Sequence, residues 1–479
     1  MNYKVILRTL GSVLNIEAVC MLLPAICALC YKDTESVKVY LFCSVLCLVA
    51  GVFLSLIKPK HKTMYSKEGF VTVALSWIVI SLFGAVPFVI SGYIPNYIDA
   101  FFETVSGFTT TGASILTNVE SLPKAHLFWR SFTHWIGGMG VLVFLVALLP
   151  LSGGSNVHLL RAESTGPSVS KLVPKVRSSA KILYYIYIAI TLTEVIMLLL
   201  GGMTLFEALT LSFGTAGTGG FGILNSSIAD YSPYVQNTIT VFMIMFGIDF
   251  TVYYLILTRR WRDALKSDEY KVYLSIIIVS ALLISINCRN LFPDFGTSLR
   301  HGFFQTASII TTTGYSTANF DLWPSLSKTI LVVLMFVGAC AGSTGGGIKV
   351  SRILILLKSI RKEIKISAHP KSTHKISMNG KTIEHETVRN VSVYIAVFLV
   401  LYALSLLIIS LDNFDFTTNF TAVAATINNI GPGLGLVGPV ENFSLFSPLS
   451  KIVLSLNMLI GRLEIFPILM LFSPYTWKR

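Results

Sequence analysis

The feature that most limits how this chain can fold is a recurrence of apolar runs of membrane-crossing length. Val37–Ile57, Phe70–Ile90, Leu127–Leu149, Ile182–Leu200 and Val391–Leu411 are each about 20 residues long, enough to carry a helix through roughly 30 Å of hydrocarbon. Charged residues make up only 13% of the chain, against about a quarter in an ordinary soluble domain. The stretch after Lys4 and Arg8 is too long for a cleaved leader and a second span follows at once, so it reads as an uncleaved first helix. The expected class is an all-α integral membrane protein.

Basic residues alternate across the spans. With the N-terminus inside, inner segments hold 28 Lys and Arg, outer segments hold 8, and Arg462 alone falls within a span. The bias places both termini in the cytoplasm. The net charge of +13 is spread over these segments rather than gathered on a polar domain, which argues against a nucleic-acid partner. The seven cysteines are odd in number and lie in apolar stretches, so no disulfide framework follows. The eight histidines show no metal-ligand spacing.

A repeat runs through the chain. Phe101–Gly112, FFETVSGFTTTG, aligns without gaps on Phe303–Gly314, FFQTASIITTTG, with eight of twelve positions identical. Two weaker copies are Leu205–Gly222 and Asn419–Gly433, and the aligned glycines are Gly112, Gly220, Gly314 and Gly431. Each copy is too short to cross the bilayer and sits between two spans, so it reads as a re-entrant half-helix and loop. The fold expected is four pseudo-symmetric span–pore helix–loop–span repeats around one pore, preceded by two extra transmembrane helices. The boundaries are 1–66 for the leading pair, then 67–152, 153–260 and 261–366 for repeats one to three. A cytoplasmic linker, 367–386, and a fourth repeat, 387–479, complete the chain.

Backbone that is not helical cannot face lipid, because each unpaired amide or carbonyl there costs several kcal/mol. Four such loops must face one another or water. Glycine and threonine at their tips suit carbonyls turned to a common axis, and a ring of carbonyls suits a dehydrated monovalent cation. Half-helices pointing their C-terminal ends at the same centre add partial negative charge and repel anions.

FTTTGAS, TGGFG, TTTGYST and NNIGPGLG resemble the pore loops of the Trk/Ktr/HKT superfamily of potassium transporters. The leading pair and the runs Trp129–Gly140, Gly342–Lys349 and Gly461–Pro467 resemble its TrkH-type bacterial members. The resemblance implies potassium uptake across the bacterial cytoplasmic membrane, with K+ as transported ion and no other cofactor. It implies a filter of backbone carbonyls from Thr110, Thr111, Gly112, Thr218, Gly219, Gly220, Thr312, Thr313, Gly314, Asn429, Ile430 and Gly431. Glycine in all four loops goes with potassium selectivity in the family, whereas serine in the first loop of some plant relatives goes with sodium. The fourth loop departs most from the threonine pattern and is expected to differ most in geometry. A homodimer on TrkA-type cytoplasmic subunits that bind nucleotide is also implied. The basic stretches Arg259–Lys266 and Arg352–Lys365 serve equally well as a docking surface for those subunits or as plain topology determinants.

The span after the third loop is interrupted by GACAGSTGGG, residues 338–347. Each interior glycine costs up to about 1 kcal/mol relative to alanine, so the helix should break there. Broken backbone at membrane depth must line the conduit. With the resemblance, Gly342, Ser343, Thr344, Gly345, Gly346, Gly347 and Lys349 form an intramembrane gate. Arg462 should face the interior; by resemblance it reaches the gate, the alternative being a structural salt bridge between helices. The competing function is proton- or sodium-coupled symport, for which Glu17, Glu194 and Asp249 are the carboxylates within spans. Glu103 and Glu207 read as pore-helix caps. No constellation for an enzyme is visible, and His134 reads as a packing position.

Overall fold

The computed structural model describes residues 1–59, 64–140, 176–370 and 374–477, and it is almost wholly helical. Among the described residues, six helices are long and apolar enough to cross a membrane, and a seventh span is a pair bent by 90°. The leading span Tyr3–Cys30 is interrupted at Met21, three residues ahead of Pro24, whose ring and missing N–H disturb the preceding turn. It packs on Thr34–Ser55, capped by Asp33 at 3.1 Å from Ser36 N. A methyl group on Gly11 would lie 2.6 Å from the Gly51 carbonyl oxygen. Small residues thus let the two backbones meet closely, which is how helices gain dispersion energy where lipid offers no hydrophobic drive. Phe42, Val45, Val49 and Phe53 are exposed on the opposite face of Thr34–Ser55, as a lipid-facing stripe requires.

Four similar units follow. The first holds Ser66–Ile90, the pore helix Tyr97–Phe108 and Lys124–Gly138; the second holds Val176–Leu200, the pore helix Leu205–Gly217 and the bent pair Pro233–Phe246 and Phe250–Leu257. The third holds Asp268–Asn287, the pore helix Phe295–Ile310, Ser325–Val337 and Val350–Ala368. The fourth holds His385–Ile409, the pore helix Phe416–Ile427, Pro448–Arg462 and Phe466–Phe472. Each pore helix starts on a side-chain cap: Asn96 to Ile98 N, Thr204 to Glu207 N, Asp294 to Thr297 N and Asp415 to Thr418 N. These caps satisfy amides that would otherwise go unpaired at the helix starts.

The expected break after Val337 is present: residues 338–349 are not helical. Two spans expected to be continuous are not. Val235–Thr258 breaks at Gly247–Asp249, where Asp249 caps the next helix through Thr251 N at 2.8 Å. Ile452–Phe472 breaks after Arg462, with Glu464 and Ile465 at φ of 62° and 69°. At Gly247–Asp249 the freed carbonyls have partners, described below, which is why that break is tolerated at membrane depth. The later part of the expected span Leu127–Leu149, and the basic stretch that follows it up to Lys175, lie outside the described residues. The linker contains a two-stranded hairpin, Ser377–Met378 paired with Lys381–Thr382. Its turn residues Asn379 and Gly380 both have positive φ, as a tight primed turn needs.

Candidate ion pathway

All four pore helices end in the same way. Thr110, Thr218, Thr312 and Asn429 have φ of 56°, 57°, 60° and 56°. Their amides bond three residues back, at 3.0–3.2 Å, to Gly107, Thr215, Ile309 and Thr426. The next amides, of Thr111, Gly219, Thr313 and Ile430, bond five residues back at 2.8–2.9 Å to Ser106, Gly214, Ser308 and Ala425. This is the Schellman closure, usually built on glycine. A β-branched residue in that conformation costs on the order of 1–3 kcal/mol. Three threonines accept the cost, and asparagine, which tolerates the left-handed region, takes the fourth place.

The closure turns each chain sharply into its aligned glycine, and there the loops meet in a ring. A methyl group on Gly112 would lie 2.0 Å from the Gly219 carbonyl oxygen, one on Gly220 1.9 Å from that of Thr313, and one on Gly314 2.1 Å from that of Ile430. One on Gly431 would lie 2.9 Å from the Thr111 carbonyl oxygen, which closes the circle. The order is therefore loop one on two, two on three, three on four, four on one. The contact is made each time by the carbonyl just ahead of the neighbour's glycine. The fourth glycine is the odd one, with the loosest contact and a φ of 100° against 76–86° in the others. Thr109 and Thr111 hydroxyls pair at 2.8 Å, as do those of Thr311 and Thr313. Loops two and four have no such pair, since Gly217/Gly219 and Asn428/Ile430 occupy the matching places.

Residues 338–349 lie against this ring. Gly346 N donates to Thr312 Oγ1 at 2.6 Å, and a methyl group on Gly346 would lie 2.5 Å from the Asn428 carbonyl oxygen. The segment docks on the bent second-repeat span. Cys340 N donates to Gly247 O at 3.0 Å, Phe250 N to Gly342 O at 3.1 Å, and Thr344 Oγ1 to Phe246 O at 3.2 Å. Its two ends are tied together by Glu269, whose Oε1 accepts from Ala341 N at 2.7 Å and Ser351 N at 3.0 Å. Lys349 is buried, with its ammonium on the Gly345 carbonyl. Arg462 donates from Nη1 to Thr344 O at 2.7 Å and from Nη2 to Gly138 O at 2.7 Å. The four aligned glycines thus lie in one ring, and Gly346, Thr344, Lys349 and Arg462 are linked beside it.

Comparison with known proteins agrees with this architecture. A family model described as a TrkH cation transport protein matches residues 36–284 and 291–478. The Trk system potassium uptake protein TrkH of Escherichia coli K12 is 35% identical, with 100% of both chains covered. TrkG of the same organism is 31% identical over 100% of this chain and 99% of its own. The crystal structure of the potassium transporter TrkH from Vibrio parahaemolyticus superposes with a TM-score of 0.90 at 32% identity, covering 100% of each chain. This chain belongs to the TrkH family of cation transport proteins.

Among the side chains singled out in this TrkH-family chain, Glu103 departs from its expected role, whereas Glu207 and His134 keep theirs. Glu103 is not a helix cap: Asn96 caps that helix, and Glu103, seven residues on, is paired with Arg130 Nε at 2.8 Å. Glu207 is a cap, with Thr204 N donating to it at 3.0 Å. Arg462 is joined by other buried basic groups, Arg130, Lys349 and Arg352. Arg352 pairs with Glu464, and the Arg352 guanidinium also lies 3.9 Å over the Tyr394 ring. Glu464 is presented to Arg352 by the break after Arg462. His134 is buried, stacked 4.2 Å from Phe221, and fills the space beside Gly217 and Gly219. It packs behind the second loop, and no sequence spacing pointed there.

Proposed function

We propose that this chain takes up potassium across the cytoplasmic membrane through the ring of the four loops. The carbonyls of Thr110, Thr111, Gly112, Thr218, Gly219, Gly220, Thr312, Thr313, Gly314, Asn429, Ile430 and Gly431 replace the water shell of the passing ion. The observation that carries this reading is the closed circle of glycine-to-carbonyl contacts, each too tight for a side chain. Pore-helix C-termini aimed at the ring favour a cation there, and the similarity to proteins named for potassium uptake supplies the ion. Residues 342–347, with Lys349 and Arg462, form a gate that blocks the path on the inner side of the ring. Both termini are cytoplasmic, the chain pairs as a homodimer, and a TrkA-type nucleotide-binding subunit acts on the gate. The relatives' naming as members of a Trk system and the exposed Arg259, Arg260, Arg262, Arg361 and Lys365 support such a partner.

The test is isotope flux into proteoliposomes holding only this chain, with potassium, rubidium and sodium competing. Potassium and rubidium should exclude sodium, and Gly112→Ser should weaken that exclusion. Equal fluxes of all three ions, or a selectivity untouched by the serine, would overturn the filter assignment. A coupled symporter is the second reading, favoured by the burial of Glu17 and Glu194 within spans.

A further inference from the structure

Where the first and second loops meet, a buried ion pair grips both. Glu103 lies in the first pore helix and Arg130 in Lys124–Gly138, with side chains 0% and 2% exposed. Their remaining contacts fall on the chain as it leaves the ring. Glu103 accepts from Ser114 Oγ and Ile115 N at 3.0 Å, just beyond Gly112. Arg130 donates from Nη1 to Gly222 O at 3.2 Å, just beyond Gly220, and from Nη2 to Ser114 Oγ at 3.4 Å, while its guanidinium lies 4.0 Å over the Phe221 ring.

The pair is peculiar to this junction. The position matching Glu103 is Leu211 in repeat two, Gln305 in repeat three and Ala422 in repeat four. Gln305 makes the corresponding backbone bond, accepting from Thr317 N at 3.2 Å, so an amide suffices to hold a single loop. What the acid adds is a counter-charge for a guanidinium, whose planar fork can hold two loops at once. A bare guanidinium so close to the path would oppose a cation.

We propose that Glu103 and Arg130 are specificity-determining positioning residues, resting on the filter reading above. Arg130 fixes the spacing of loops one and two, and Glu103 cancels its charge so that cation occupancy survives. The test is rubidium influx in proteoliposomes, reading KM and inhibition by sodium for Glu103→Gln, Arg130→Gln, the double variant and Arg130→Lys. Glu103→Gln keeps the hydrogen-bonding shape but uncovers the charge, and should raise KM about tenfold while sodium exclusion holds. Arg130→Lys keeps the charge but loses the fork, and should weaken sodium exclusion with KM little changed. Arg130→Gln should weaken sodium exclusion as well. The double variant should return KM to within about threefold of the parent without restoring exclusion. A double variant as impaired in KM as Glu103→Gln, or sodium exclusion unchanged in Arg130→Lys, would overturn the proposal. A parent protein with no preference for rubidium over sodium would instead overturn the filter reading itself.

Discussion

At the scale of single residues, the ring makes the four glycines unequal. At Gly220 an added methyl group meets a carbonyl at 1.9 Å, whereas at Gly431 the same group has 2.9 Å. Alanine at position 220 must therefore push a neighbouring loop much further than alanine at 431, while both carry the strain of a positive φ. Gly220→Ala should lower the preference for rubidium over sodium by about tenfold or more, and Gly431→Ala by several-fold less, since each 1.4 kcal/mol of lost discrimination is about tenfold. Competitive flux assays on the two variants check this, and equal losses would contradict it. The glycines were legible because they recur at matched places. The left-handed threonines were not, since Thr110 is indistinguishable from Thr109 and Thr111 in FTTTG until the hydrogen bonds are seen. The Glu103–Arg130 pair was missed for another reason. Its partners lie 27 residues apart on different helices, and an acid in a half-helix has a simpler reading as a cap.

Among the elements, the second-half spans matter most. The break at 338–347 was announced by its glycines, and the fourth-repeat break only by Pro467 following Glu464. The second-repeat break carried a weak signal, Gly247 and Asp249 in an apolar run. What no single segment could reveal is that the second- and third-repeat breaks answer each other. Carbonyls freed at Phe246 and Gly247 accept from Thr344 and Cys340, so two broken helices satisfy one another's backbone in a region where water does not. Glu269 ties the ends of the third-repeat segment without touching the ring. Glu269→Ala removes both bonds and leaves the Ala341 and Ser351 amides without that acceptor, at about 1–3 kcal/mol each. If the segment gates, its closed form loses its clasp. Unstimulated rubidium flux should then rise several-fold, with sodium exclusion unchanged. Flux that falls in a protein eluting as a sharp gel-filtration peak would argue that the segment holds the path open instead.

For the whole molecule, the question is what drives the ion. Coupling needs a carboxylate that takes part in the ion's passage, and the candidates have other employment. Asp249 caps a helix, Glu269 holds the two ends of one segment, and Glu103 is paired with Arg130. Glu17 and Glu194 are buried in Tyr3–Cys20 and Val176–Leu200, a leading helix and a first-half helix that contribute no residue to the ring. An uncoupled path moves one charge per ion, so about 2.3 kcal/mol per 100 mV acts on it, whereas a one-unit pH gradient offers a coupled proton about 1.4 kcal/mol. Rubidium influx should therefore follow an imposed membrane potential and ignore a pH gradient applied at zero potential, and Glu17→Gln and Glu194→Gln should retain it. Influx that follows the pH gradient and is abolished by either glutamine would make that carboxyl the coupling site and the protein a symporter, with the four-loop ring as its ion site rather than its channel.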